Sequence, residues 1–272
     1  MEDKNRNLTV CVLISCMHQD DHDIIRRSNI QTDVVVVNQC DKDLVESFDF
    51  VNKKGETCHA KFISTTERGL SSSRNMAIAN AEDADVCLIC DDDEFLFDDY
   101  SEKLINAFSE EPNAAVIAFA LDRKDHPKKF PNYKFKLGFK SIGQVSSQQI
   151  AFRKDMINTA GIVFDVKMGS GTGNGGGEEN MFLHTCRRRK LMMFYYPQVI
   201  ATINATGQSK WFKGYTPQYF QNLGWASRRI HGAFVGWLYI TVWTLTHKHL
   251  YRSDSLMWNA YKNLLNGFGQ KR

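Results

Sequence analysis

The stretch DVCLICDDDEFLFDD (Asp85–Asp99) decides the fold. Val86 to Cys90 is apolar at every position, and a short run of that kind reads as a strand covered on both faces. It passes directly into Asp91-Asp92-Asp93-Glu94. Adjacent like charges repel, and burying any of them without a partner is costly. Water, basic side chains or a metal ion must offset that cost. Cys87-x-x-Cys90 has the spacing of half a zinc site, but no second pair follows at a suitable distance, so both thiols are read as buried strand residues.

The same texture extends outward. LTVCVLIS (8–15), DVVVVN (33–38), KFIST (61–65) and AAVIAFAL (114–121) are further apolar runs. Between them SSSRNMAIANAE (71–82) and DYSEKLINAFSEE (99–111) have helical spacing behind Ser and Asp, good helix starters. Strand–helix–strand repetition predicts an α/β domain on a mostly parallel sheet with helices on both faces. Ligands of such sheets bind at the carboxyl edge of the strands, where the acids at 91–94 lie. Past Asp122 the pattern weakens. RKDHPKKFPNYKFK (123–136) reads as a basic surface loop and QQIAFRKDMINTAG (148–161) as a strand and short helix. GSGTGNGGG (169–177) reads as a flexible run, ENMFLHTCRRRK (179–190) as a helix and MMFYYPQVIATINA (192–205) as a final strand.

A chain of 272 residues can bury a sizeable core. Its seven cysteines, an odd number spread over predicted strands and helices, fit reduced thiols. MEDKNRN lacks the basic and apolar stretches of a secretory signal, so a cytoplasmic location is expected. The net charge of +3 hides an asymmetry: residues 208–272 carry nine Lys/Arg against Asp254 alone. Two units are therefore expected, a body over 1–207 and a basic, aromatic helical extension over 208–272. The extension suits an anionic surface.

Two constellations carry chemistry. In an extended segment Asp91 and Asp93 would point the same way, two converging oxygen ligands suited to a hard divalent cation holding a diphosphate. Upstream, ERGLSSSRNMAIANA (67–81) sets Arg74-Asn75 in the first turns of a helix, where an arginine reaches phosphate beside helix-terminal N–H groups.

With these motifs the chain resembles family 2 glycosyltransferases of the GT-A (nucleotide-diphospho-sugar transferase) fold, over roughly residues 8–205. RGLSSSRNMAI is similar to the family's Gly-Leu-Ser-x-x-Arg-Asn helix, and LICDDDEFLFDDY to its strand ending in Asp-x-Asp-Asp. GGGEENMFL followed by MMFYYP is similar to its Glu-Asp motif, helix and Tyr-x-Pro strand. The resemblance implies that Asp91 and Asp93 bind Mg²⁺ or Mn²⁺ on the donor's diphosphate, with Asp92 between them and Arg74 near the nucleotide. Glu179 falls at the family's catalytic aspartate and Glu178 at the preceding glutamate; either is the base. Asn38 stands where the family contacts the nucleoside and offers an amide to a uracil edge. Ser15 begins a segment, Ser15-Cys16-Met17-His18-Gln19, that replaces the family's Pro-Thr-Tyr and is expected to act through backbone contacts. QSKW (208–211) is one residue short of the Gln-x-x-Arg-Trp of processive synthases.

The implied activity is metal-dependent, inverting transfer of a hexosyl group from a nucleotide-diphospho-sugar, UDP-linked by the family's habit, to a saccharide hydroxyl. The implied setting is bacterial capsule, exopolysaccharide or O-antigen assembly on a polyprenyl-diphosphate-linked acceptor. The glycine run would close over donor and acceptor; it is not a P-loop, because no Gly-Lys-Ser/Thr ends it. SRRIHGAFVGWLYITVWTLTHKHLYR (227–252) has an apolar middle of about 13 residues, short of the ~20 that span a bilayer. It is either a helix packed on the core, an interfacial helix seating the protein on the inner face of the plasma membrane, or both. A nucleotidyltransferase lacks support because SCMHQDDHD (15–23) is no Gly-rich, basic loop. A non-catalytic sugar- or nucleotide-binding scaffold is the other alternative. No nucleic-acid partner is expected, since the basic residues surround an apolar stretch instead of an open groove.

Overall fold

The computed structural model describes residues 8–123, 129–203, 214–251 and 254–272. In chain order the elements are β1 (Val10–Met17), α1 (Ile24–Arg27), β2 (Asp33–Gln39), β3 (Leu44–Val51), β4 (Thr57–Thr65) and α2 (Leu70–Asn80). There follow β5 (Val86–Asp91), β6 (Glu94–Leu96), α3 (Tyr100–Glu110), β7 (Ala114–Arg123), β8 (Phe135–Lys136) and α4 (Phe139–Ile142). A 3-10 turn (Ser147–Gln149) leads into β9 (Ile150–Arg153), α5 (Lys154–Thr159), α6 (Glu178–Arg188) and β10 (Met192–Ile203). The chain ends in α7 (Pro217–His231), α8 (Ala233–Thr246) and α9 (Asp254–Gly269).

All the described strands join one sheet in the order β3-β4-β2-β1-β5-β9-β7-β10-β6, with β8 on β10. The block β4-β2-β1-β5 is parallel. Double coverage explains the apolar runs of β1, β2 and β5, whereas β4 alternates over its first half. Along β1, Val10, Val12 and Ile14 enter one core with Tyr100, Leu104 and Phe108 of α3. Cys11 and Leu13 face the other core, with Ala77 of α2 and Phe182 of α6. All seven cysteines are free and buried, Cys87 and Cys90 among them. Among the described residues no group of three His, Cys, Asp or Glu gathers to hold a metal ion.

Departures from the expected pattern have local causes. The sequence pattern missed β3 because it is an edge strand: Val45 and Val51 are exposed while Phe48 and Phe50 only lean on the core. β9 enters antiparallel between β5 and β7, so the sheet is mixed at its centre. The acid run is not extended; Asp92 and Asp93 form a turn between β5 and β6.

The helix expected over 227–252 is divided at Gly232, whose φ of 79° ends α7 and leaves the apolar middle in α8. α7 opens with Pro217 behind Thr216, whose hydroxyl accepts the Tyr219 N–H at 3.2 Å. It packs on the body through Trp225, Ala226 and Ile230 against Met168, and Arg229 donates to Asp165 Oδ1 at 3.0 Å. α7 is thus packed on the body, while the apolar middle of the 227–252 stretch lies in α8. α8 buries only Gly236, Ile240 and Thr244, leaving Phe234, Trp237, Leu238, Val242 and Leu245 exposed. No described helix is long and apolar enough to cross a membrane. The expected boundary at 207/208 and the QSKW segment lie outside the described residues, as do residues 124–128 of the expected basic loop.

Helices α7 and α9 touch backbone to backbone. A Cβ on Gly224 would stand 2.0 Å from the Leu264 carbonyl oxygen, and one on Gly267 1.8 Å from that of Gln221. Gly224→Ala is expected to push α9 off α7 and lower stability by about 1–3 kcal/mol, as overpacking does. Urea denaturation of the variant beside wild type measures the loss.

Candidate active site

Three secondary-structure ends converge at the carboxyl edge of the sheet. β5 ends in Asp91, α2 begins behind Gly69, and α6 begins behind Gly177, which adopts the left-handed φ of 101°. Polar side chains of α2 dock it there. Ser73 Oγ donates to Ser15 Oγ at 2.8 Å, Ser71 Oγ donates to the Met168 carbonyl at 2.7 Å, and Asn75 bonds both backbone groups of Phe164 at 2.8 Å. The Gly69 N–H donates to Gln39 Oε1 at 2.7 Å.

That docking buries Arg74 to 1% exposure. Its Nη2 donates to Asp91 Oδ1 at 3.0 Å and its Nη1 to Glu178 Oε1 at 2.9 Å. The Phe164 ring lies 5.5 Å from the guanidinium and stacks in turn on Phe182 at 4.5 Å. Burial works against the charged guanidinium, but the Asp91 and Glu178 carboxylates more than offset it and raise its pKa. Arg74 thus holds two carboxylates in place at the edge where a nucleotide contact was expected of it. Its Nε has no hydrogen-bond partner among the described residues.

The acids separate by environment. Glu94 folds back so that Oε2 accepts the Asp91 N–H at 2.7 Å, closing the turn. It is buried, and burial, with Asp91 adding, drives its carboxyl well above the usual carboxylate range. Asp91 Oδ2 faces Ser147 Oγ at 3.5 Å, and Asp93 Oδ1 accepts from Gln148 Nε2 at 3.0 Å, so both acids meet the turn before β9. Desolvation, then the charges of Asp91 and Asp92, raises the Asp93 carboxyl. Asp92 is exposed beside them.

Glu178 and Glu179 point apart. Glu178 is buried on Arg74, whereas Glu179 accepts from Asn180 Nδ2 at 3.0 Å and lines a cavity of about 850 Å³. Burial, then Glu178, raises the Glu179 carboxyl. Both stand in the first turn of α6, where the helix dipole favours negative charge. Gly175–Gly177, α4, α6, α7 and Tyr239 of α8 complete the cavity wall. The glycine segment is folded down here: the Leu70 N–H donates to the Ser170 carbonyl at 3.0 Å, and Arg272 donates to Asn174 Oδ1 at 3.2 Å.

Asn38 and Ser15 are placed as braces. Asn38 is fully buried, with Oδ1 accepting the Gln19 N–H at 2.9 Å and Nδ2 donating to the Gln19 carbonyl at 2.9 Å, so it holds the loop after β1. Ser15 is buried beside Asp91 in register. The sequence pattern did not single out Glu94, Ser147, Gln148 or Phe164. Only Glu94 carried a signal, as the fourth acid of the run.

Arg74→Ala strands the buried Glu178 carboxylate and the half-buried one of Asp91, and is expected to cost about 3–5 kcal/mol by urea denaturation. Glu94 binds its proton more tightly folded than unfolded, where the ordinary value is 4.5. The contribution of Glu94 to stability is therefore full below pH 4.5 and is lost as pH rises toward its folded-state value. Glu94→Gln is expected to raise the melting temperature at pH 8 in EDTA and to change it little at pH 4.

The profile of Glycosyl transferase family 2 matches residues 22–170. No curated protein sequence matches the chain. Among solved structures, S. aureus TarS 1–349 has a TM-score of 0.59 at 13% identity, over 96% of this chain and 81% of that one. TarS 1–349 in complex with UDP-GlcNAc gives 0.62 at 14%, over 96% and 82%. Its complex with UDP gives 0.54 at 13%, over 96% and 89%. The mixed sheet and its flanking helices are the GT-A fold. The matched profile spans more than half of the sequence, and the chain belongs to glycosyl transferase family 2.

Proposed function

We propose that the protein transfers a hexosyl group, with inversion, from a UDP-sugar to a hydroxyl of a lipid-linked saccharide in bacterial surface polysaccharide synthesis. The observation that carries this reading is the Arg74 brace, which sets Asp91 and Glu178 on one guanidinium while Glu179 turns into the cavity. The UDP-GlcNAc and UDP complexes of TarS support the choice of nucleotide.

Asp91 and Asp93 would hold Mg²⁺ or Mn²⁺. Their donors are hard carboxylate oxygens, and the Asp91 and Asp92 charges that, after desolvation, raise Asp93 are what a cation would relieve. Oxygens of a diphosphate would complete the ligand set. Bound there, the cation supplies charge to offset the departing diphosphate. Arg74 fixes Asp91, and Gln148 fixes Asp93, before the donor arrives. Glu179 takes the proton of the acceptor hydroxyl as that oxygen bonds to the anomeric carbon; the bond from that carbon to the diphosphate breaks and UDP leaves. Glu178, committed to Arg74, is the positioning partner of this base.

The bare face of α8 supports an acceptor met at a membrane surface, with the protein peripheral on the cytoplasmic side. A non-catalytic scaffold would bind the donor without turnover. Titration with UDP, with and without Mn²⁺, is expected to give metal-dependent binding that Asp91→Ala/Asp93→Ala loses. Glu179→Gln is expected to keep binding but lose about 10²–10⁴-fold in transfer. Because a raised carboxyl must ionise to act, kcat/KM should climb with pH through the neutral range. Metal-independent binding of UDP, or full activity of Glu179→Gln, would overturn the corresponding role.

A further inference from the structure

The cavity beside Glu179 continues away from the sheet edge along a file of rings. Phe139 of α4 lies 5.3 Å from His184 of α6 and 5.5 Å from His231 of α7. His184 and His231 meet edge-on at 4.7 Å, and His231 lies 5.2 Å from Tyr239 of α8. Burial, then neighbouring cations and, for His184, its partner His231, keeps both imidazoles neutral at pH 7; His184 is lowered to about 4.

Two cations accompany the first ring of this file. Lys140 lines the cavity, and Arg187 lies 5.3 Å from the centre of Phe139. Both are exposed, and neither forms an ion pair among the described residues. The last ring, Tyr239, belongs to both the cavity wall and the surface, at 41% exposure. Beyond it lies the apolar face of α8, where Phe234 is 72% and Val242 56% exposed. Base, rings, cations and apolar face are therefore continuous.

We propose that this surface is the acceptor site, and that the acceptor is a saccharide joined through phosphate to a hydrocarbon chain. The saccharide occupies the cavity with a hydroxyl at Glu179, the phosphate lies on Lys140 and Arg187, and the hydrocarbon runs over α8. Aromatic walls suit the apolar faces of sugar rings, and the two unpaired cations match the single charged part of such a molecule. The assignment rests on the transferase reading above but adds where the acceptor sits and which charge it carries.

The test uses farnesyl diphosphate and farnesol as probes, read by quenching of tryptophan emission with UDP and Mn²⁺ saturating, so that the donor site is filled. Wild type is expected to bind farnesyl diphosphate at least tenfold more tightly than farnesol. Lys140→Glu/Arg187→Glu, both changes at exposed positions, should erase that preference while UDP affinity stays unchanged. Tyr239→Ala should weaken both probes. Equal affinity for the two probes, or a preference that survives the charge reversal, would overturn the acceptor assignment and leave the donor reading intact. A dimer seen by sedimentation, abolished by Trp237→Ser/Val242→Ser and closed to farnesyl diphosphate, would assign the face to a second copy of the chain and overturn it too. Failure of wild type to bind UDP would instead remove the transferase reading on which the assignment stands.

Discussion

The architecture of the site depends on one guanidinium buried between two carboxylates. Arg74, on α2, links the last residue of β5, the next element in the chain, to the first residue of α6, 104 residues away. Taking such charges out of water costs several kcal/mol per ion, so the pairs add little net stability. What they supply is position. With Arg74 holding Asp91 and Glu178, Asp93 stays against Gln148 and Glu179 against the cavity.

That division gives the site two compartments of different chemistry. The sheet edge is crowded with acids and short of counter-charge, a setting for cationic and anionic ligands together. The cavity past Glu179 is walled by rings, by α4 and α6, and by α7 and α8, which follow the last described strand. Two consecutive residues on one helix turn serve both, because successive side chains leave a helix about 100° apart. Glu178 faces inward and Glu179 faces the cavity.

The doubly covered strands were legible in the sequence because burial on both faces removes alternation, leaving apolar runs at β1, β2, β5 and β7; β4, whose first half alternates, showed only in part. β3 was not legible, since an edge strand packs only two phenylalanines half-way. The acids, Arg74 and the glutamate pair stood out by residue type and local order. Their pairing did not, because a contact between Arg74 and Glu178 joins residues 104 apart and leaves no local pattern. Phe164 and Gln148 were invisible for the same reason. The break at Gly232 was hidden because a lone glycine between a basic run (227–231) and an apolar one (233–246) carries no Pro or further turn residue to mark it.

The glycine contacts between α7 and α9 bear on how this extension tolerates changes of length. A residue inserted within α9 before Gly267 would rotate everything after it by about 100° and bring a side chain against the Gln221 carbonyl. The same insertion in the connection between α8 and α9 leaves the phase of α9 untouched. Among relatives sharing this packing, length variation should therefore collect in that connection, while the interval from Asp254 to Gly267 stays constant.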